Sequence, residues 1–306
     1  LLKFGAKDPV SLASGEVWRF ITPVFVHIGF LHFFVNNLGL YYIGYPLEIF
    51  FGWRWFLMVY LLSGIFGNIA SAAFSMTMSA GASGALFGLL GSGYYMERII
   101  GKKIAEATGT KPRAGIYGSM VVINLIFGAI VPGIDNAAHI GGLVSGIALT
   151  HIMTLLRPNQ LREPNIALAK KFTMGYALVA ALCIILSTNP NYILYRLRNA
   201  AETSLKAFER GESPNYNGMQ AYHYYTEALK IDPDNLEFLF QRGKLLYISQ
   251  KHNEAINEFR LPANDPVYYE KLVELTREFK AAKLETWQLE RLLSHAKPAE
   301  SKKEGD

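Results

Sequence analysis

The sequence predicts an all-α protein in two parts, a polytopic transmembrane helical bundle followed by a soluble helical domain. Two observations carry this. From about residue 20 to residue 188 the 306-residue chain is dominated by apolar runs of roughly 17–22 residues, the length that crosses a ~30 Å hydrocarbon core as a helix. After Asn189 the chain turns polar and charged, with no further run of that length. Whole-chain averages, 51% hydrophobic residues and a mean hydropathy of +0.15, conceal the division. The expected domains are 1–190 in the membrane, 191–296 as a helical domain and 297–306 as a disordered tail.

The remaining averages narrow the function classes. A net charge of +5 is small for this length. It reads as loop charge that orients a membrane body, so the expected partner is the lipid bilayer and not nucleic acid. The single cysteine, Cys183, lies in an apolar run. It allows neither a disulfide framework nor a cysteine metal site, and reads as a small core or lipid-facing residue. No cleavable signal peptide is visible. The opening Leu1-Leu2-Lys3-Phe4 reads as the outer end of a helix whose earlier part precedes this sequence.

Six spans are expected, at about 26–46, 54–76, 82–100, 114–131, 138–156 and 172–188. Lys and Arg positions orient them. Arg54 precedes the second span, Arg98, Lys102, Lys103, Lys111 and Arg113 follow the third, and Arg157, Arg162, Lys170 and Lys171 follow the fifth. If the spans alternate, all these loops share one side, which is cytoplasmic by the positive-inside rule. The segment 1–20, Ser79 and Ala80, the turn 132–136 and the whole tail after Asn189 then lie outside the cytoplasm.

Two spans carry the chemistry. Gly81-Ala82-Ser83-Gly84, followed by Gly88, opens the third span, and His139-Ile140-Gly141-Gly142, followed by Gly146, opens the fifth. Ser83 and His139 each lie roughly 24–27 Å from the basic end of their span at 1.5 Å rise per residue. Gly84/Gly88 and Gly142/Gly146 are small-xxx-small pairs, with Ala138 one turn before Gly142, and such faces let membrane helices approach closely. They are also ordinary packing motifs. The matched depth and the identity of the two residues make them a nucleophile and its base: a serine hydroxyl needs a base to attack at neutral pH, and histidine is the usual one. The attack also needs donors for the developing oxyanion. His32 and Asn36 supply them, four residues apart on one face of the first span, where polar groups are costly in lipid and mark function.

Trp18-Arg19, His27-x4-His32-x3-Asn36, Gly44-x3-Glu48-x3-Gly52, GASGALFG at 81–88 and AHIGGLVSG at 138–146 occur in order. Over about residues 10–156 this resembles the rhomboid family of intramembrane serine proteases. The resemblance implies a rhomboid fold whose first core helix is missing ahead of Leu1, leaving five core spans and one extra. It implies Ser83 as nucleophile and His139 as general base in a dyad, with an oxyanion hole from the Ser83 backbone N–H and the side chains of His32 and Asn36. It also implies supporting roles. Phe87 stands where the family packs an aromatic ring against the histidine, Gly81 and Gly84 flank the serine, and His27 supports the outer loop. Trp18 and Arg19 lie in a loop at the outer interface, and Glu48 anchors helices. Substrates would be membrane proteins cleaved near the outer ends of transmembrane segments where helix-destabilising residues expose a peptide bond. No cofactor or metal is expected; HEXXH is absent. His151, twelve residues below His139, is too deep to serve Ser83. Asp135 reads as a helix cap or as a third member orienting His139.

In the tail, Asp232-Pro233 and Asp265-Pro266 recur at 33 residues, near the 34-residue period of tetratricopeptide repeats. Ala221, Tyr225 and Ala228, then Gly243, Tyr247, Ala255 and Phe259, fall where such repeats place small and aromatic packing residues, while Pro262 departs from the pattern. Two to three degenerate repeats over 196–296 would offer a concave surface to a protein or peptide ligand. Tyr216, Tyr222, Tyr224 and Tyr225 either line it or pack it. The competing reading is a non-proteolytic adaptor that recognises transmembrane helices and recruits partners through the repeats. A transporter is disfavoured, because the spans hold no carboxylate beyond Glu48 and no inverted repeat is evident.

Overall fold

The computed structural model describes residues 1–109, 115–131, 133–156 and 164–296; among these residues it is helical with no strand beyond one isolated bridge. The expected disordered tail 297–306 lies outside the described residues. Two compact units divide at Ile193/Leu194, three residues beyond the boundary expected from composition.

In the first unit Asp8 caps a short helix, α1 (Pro9–Ala13), by accepting from the Ser11 backbone N–H at 2.8 Å. A helical run over 29–51 follows as α2 (Gly29–Gly39), a π-turn (Leu40–Gly44) and α3 (Tyr45–Phe51). Pro46 explains the widened turn, since it has no N–H to donate and its ring crowds the carbonyl four residues back. Gly52, at φ +80°, then reverses the chain directly into α4 (Trp53–Phe74). The remaining helices of the unit are α5 (Ser83–Thr108), α6 (Ile116–Ile130), α7 (Asn136–Leu156) and α8 (Ile166–Thr188).

Three of these, α4, α7 and α8, are long and apolar enough to cross a membrane. The other expected spans differ for visible reasons. The run over 29–51 is broken by its π-turn, α5 begins apolar but continues into the charged stretch past Arg98, and α6 is apolar but only 15 residues long. The helix around the sixth expected span begins earlier than 172, at Ile166.

The centre of this unit is α4, α5 and α7 packed backbone to backbone. A Cβ at Gly142 would strike the Gly84 carbonyl, one at Gly146 the Gly88 carbonyl, and one at Gly67 would stand 2.8 Å from the Ala138 carbonyl. Buried hydroxyls bridge the same helices: Ser63 to Ser145 at 3.2 Å, Thr150 to Ser92 at 2.8 Å, and Ser145 to Tyr176 of α8 at 2.9 Å. Small residues and hydroxyls do this work because lipid tails are as apolar as leucine and supply no drive to bury leucine between helices. α8 leaves Met174, Leu178, Leu182 and Ile185 exposed and seats Cys183 in a core with Leu12, Phe20, Ile69, Ala72 and Ala73.

The second unit contains α10 (Pro214–Ile231), α11 (Leu236–Ile248), α12 (His252–Phe259), α13 (Pro266–Ala281) and α14 (Trp287–His295), with the division falling inside α9 (Pro190–Glu209). Its core is conventional. Tyr225, Tyr247, Phe259 and Leu272 are fully buried, Phe259 lies against Gly243, and Tyr247 stacks on Phe279 with ring centroids 5.1 Å apart. The two Asp-Pro pairs are not equivalent. Asp265 caps α13 with Pro266 as its first residue, whereas Asp232 ends α10 and α11 is capped instead by Asn235. The 33-residue recurrence of Asp-Pro is therefore not a recurrence of helix caps, which stand 30 residues apart with a turn over Pro262–Asn264 between them. Of the four tyrosines, Tyr225 packs the core, Tyr222 and Tyr224 are half-buried, and Tyr216 is exposed.

Candidate active site

The loop into α5 is pinned before it reaches the helix. Lys7 and Ser79 exchange backbone hydrogen bonds at 2.8 and 3.0 Å, and the fully buried Lys7 ammonium donates to the carbonyls of Ser75 (3.3 Å) and Thr77 (2.5 Å). Gly81 donates to the Pro23 carbonyl at 2.9 Å and has φ +135°, with a hypothetical Cβ only 2.6 Å from the His32 ring. Both the backbone angle and the imidazole exclude a side chain there. Ser83 is then the first residue of α5, a helix whose N-cap, Ala82, offers no side-chain acceptor. The unpaired first-turn N–H groups and the positive end of the helix dipole therefore lie beside the serine.

Across from it, His139 lies in the second turn of α7. Its Nε2 is 2.9 Å from the Ser83 hydroxyl oxygen. Phe87, one turn below the serine, stacks flat on the imidazole, with centroids 4.2 Å apart at 11°. On the far side of the ring, Nδ1 is 3.2 Å from Asn136 Oδ1. An amide oxygen can only accept, so Nδ1 carries the proton and Nε2 is left as acceptor for the serine hydroxyl. This arrangement can take a proton from Ser83 as its oxygen attacks.

His32 and Asn36 of α2 line the same cavity of about 300 Å³ as Ser83, Phe87 and His139. His32 Nδ1 accepts the Ile28 backbone N–H at 3.3 Å, which leaves its Nε2–H as a donor. Asn36, 5% exposed, donates one amide hydrogen to the His32 carbonyl at 2.8 Å and keeps the other. His27 holds the loop: its Nε2 accepts from Ala82 N–H at 3.4 Å, with Nδ1 3.3 Å from the Phe25 carbonyl.

The residues named from sequence thus divide by position. Ser83, His139, Phe87, His32 and Asn36 line one cavity, Gly81 lies against the His32 ring, Gly84 packs in the α5–α7 interface, and His27 holds the loop. Trp18 is an exposed ring, whereas its neighbour Arg19 is buried, donating to the carbonyls of Leu2 (3.0 Å) and Ala6 (2.7 Å) and pairing with Glu16. Arg19 therefore fastens the N-terminal segment. Glu48 makes no side-chain hydrogen bond or ion pair among the described residues; its backbone carbonyl accepts from Gly52 N–H. Asp135 does not orient His139. It caps α7 through Ala138 N–H, accepts the Ser71 hydroxyl, and lies 4.0 Å from the Lys7 ammonium. His151 instead meets Tyr95 Oη at 2.7 Å. Three residues escaped the sequence reading: Asn136, Lys7 and Ser71. Asn136 had a signal, being one turn before His139 on the same face; Lys7 and Ser71 had none.

A polytopic helical membrane domain with a serine and a histidine in hydrogen-bond contact near the helix ends is the class that this fold and site define. Residues 14–155, a little under half of the chain, match the family described as Rhomboid domain. Three relatives illustrate the similarity. Rhomboid protease GluP of Bacillus subtilis (strain 168) is 44% identical over 146 residues, covering 48% of this chain and 28% of that protein. RHOMBOID-like protein 5 of Arabidopsis thaliana is 38% identical over 161 residues, 52% of this chain and 50% of the relative. Rhomboid-like protease 2 of Toxoplasma gondii is 34% identical over 151 residues, 48% and 52%. The chain thus spans about half or less of the length of these relatives.

Proposed function

We propose that the chain is an intramembrane serine endopeptidase that cleaves transmembrane segments of other membrane proteins near their outer ends. The 2.9 Å contact between Ser83 Oγ and His139 Nε2 inside a rhomboid domain carries this reading. Ser83 Oγ attacks the scissile carbonyl while His139 Nε2 takes its proton. The oxyanion is met by the Ser83 backbone N–H, His32 Nε2–H and the free amide hydrogen of Asn36. The imidazolium returns the proton to the leaving amine, and the acyl-enzyme is hydrolysed by water with His139 again as base. Substrates are segments whose helix is weakened by small or helix-breaking residues, because the attacked bond must leave its helical hydrogen bonds to reach the cavity. No cofactor takes part in these steps.

By the same reading the active site opens to the extracytoplasmic side, and the C-terminal unit lies on that side as a tetratricopeptide-like module for a protein or peptide ligand. The burial of Ala221, Tyr225, Ala228, Tyr247, Ala255 and Phe259 supports the repeat reading.

The deciding experiment is cleavage of a co-expressed single-span substrate by wild type, Ser83→Ala and His139→Ala, with abundance checked for each. Loss of cleavage in both variants at normal abundance is the expected result. Cleavage that survives Ser83→Ala would overturn the mechanism. A folded wild type that cleaves none of several substrates would leave the helix-recognising adaptor as the better reading.

A further inference from the structure

Asn136 has both ends of its amide engaged, and they face different helices. Oδ1 lies 3.2 Å from His139 Nδ1, and Nδ2 donates to the Leu125 carbonyl of α6 at 3.2 Å. Asn136 thereby uses a lone pair that the helix of Leu125 leaves over, because a carbonyl oxygen has two and the α-helix takes one. The fit on the α6 side is close. A Cβ at Gly128 would strike Asn136 Oδ1 and stand 2.9 Å from Ile134 Cγ2. At its start α6 is held to α5, where Glu97 accepts from the Ile116 and Tyr117 N–H groups at 2.9 and 3.2 Å and Tyr117 packs on Gly93; beyond that turn little is buried. Val122, Ile123, Ile126, Phe127 and Ile130 are exposed, and Gly128 is its one buried residue among those described. The neighbouring carboxylate does not compete for the imidazole, since Asp135 is occupied by Ala138 N–H, Ser71 and Lys7.

We propose that Asn136 is a positioning residue that couples the seating of α6 to the protonation geometry of His139. This inference rests on His139 acting as the base for Ser83. With α6 seated, the Leu125 carbonyl claims the NH2 end of the amide and turns Oδ1 toward the imidazole. The proton is then held on Nδ1, and the Nε2 lone pair faces Ser83. With α6 displaced, the amide is free to turn over. Its NH2 end cannot accept from Nδ1–H, and the tautomer with the proton on Nε2, which cannot serve as base, gains population.

The test uses the full chain in detergent micelles, with two readouts. The first is the His139 tautomer by 15N NMR of histidine-labelled protein, assigned by subtraction with His139→Gln; this readout does not depend on proteolysis. The second is the rate at which a fluorophosphonate labels Ser83. Wild type is expected to hold the Nδ1–H form. Asn136→Ala and Gly128→Ala should each mix the tautomers and slow labelling about tenfold, well short of the ~10²–10⁴ lost with a general base itself. The double variant should be no slower than either single one, because both act through one amide. Asn136→Asp, which is nearly isosteric and keeps an acceptor for Nδ1, should recover most of the loss seen with alanine, which separates positioning from misfolding. An unchanged tautomer and labelling within twofold of wild type in Asn136→Ala would overturn the proposal. So would losses that multiply in the double variant. If wild-type Ser83 is not labelled at all, the protease reading fails, while the tautomer measurement still decides the role of Asn136.

Discussion

In the membrane unit the closest surfaces are backbone on backbone, Gly142 against the Gly84 carbonyl and Gly146 against that of Gly88. In the C-terminal unit the centre is filled by Tyr225, Tyr247, Phe259 and Leu272, and Gly243 makes room for the Phe259 ring. The contrast follows from the solvent that each unit excludes. Water rewards the burial of large apolar side chains, by about 25 cal/mol per Å². Lipid gives no such reward, so association there depends on close approach and on polar contacts such as Ser63–Ser145 and Thr150–Ser92. The polar groups of the site, costly in lipid, are held by that same close packing.

This difference can be broken at its strongest point first. Gly146→Leu places a side chain where the Gly88 carbonyl stands, and the membrane unit should fail to assemble, seen as aggregation in detergent while the far-UV helical signal of the C-terminal unit persists. A comparable loss of volume belongs to the other unit. Phe259→Ala removes a fully buried ring from the core around Leu272 and Tyr247, and should cost that unit about 3–5 kcal/mol. Limited proteolysis should then cut within 214–295 and leave the membrane unit intact. If Phe259→Ala instead lowered the melting temperature of both units equally, their independence would be wrong.

Two smaller effects sharpen the contrast through charge. Lys7→Met strips the buried ammonium from Asp135 and from the Ser75 and Thr77 carbonyls, leaving acceptors unpaired at a cost of about 2 kcal/mol. The membrane unit should melt several degrees lower. The C-terminal unit offers a half-buried counterpart, Glu237. Burial works to raise the pKa of Glu237, but hydrogen bonds from Gln241, Lys271 and Tyr268 outweigh it and hold the carboxyl below its usual range; on the partner side, burial and the Glu237 carboxylate push Tyr268 up to about 12. A depressed carboxylate contributes stability above its unfolded pKa of about 4.3 and loses it as pH falls through the folded value. Chemical denaturation between pH 6 and pH 3 should show the wild type losing stability more steeply than Glu237→Gln.

Much of the site was readable in one dimension. Ser83, His139, His32 and Asn36 are rare polar residues in apolar runs; spacing placed the first two on faces with small residues and the last two on one shared face. Asp135 was readable as a cap. Asn136 was hidden by the same logic, since an asparagine at a helix start reads as punctuation, and only the position of the Leu125 carbonyl shows that its amide faces α6. In the tail, the burial of Tyr225, Tyr247 and Phe259 follows local helical periodicity, whereas the Asp-Pro spacing does not match the helix caps, which stand at Asn235 and Asp265.

By itself the sequence determined the division into an apolar and a polar half, the helical character of both, and the identity of the serine and histidine at one depth, because period, length and polarity are local properties. Tertiary structure alone decided that Lys7 reaches Ser75 and Asp135 across separations of 68 and 128 residues, that Asp135 serves that lysine and not His139, and that Asn136 stands between His139 and α6. Those assignments turn on which of several nearby acceptors a donor meets, a matter of a few tenths of an ångström set by how closely the glycine faces let the helices approach.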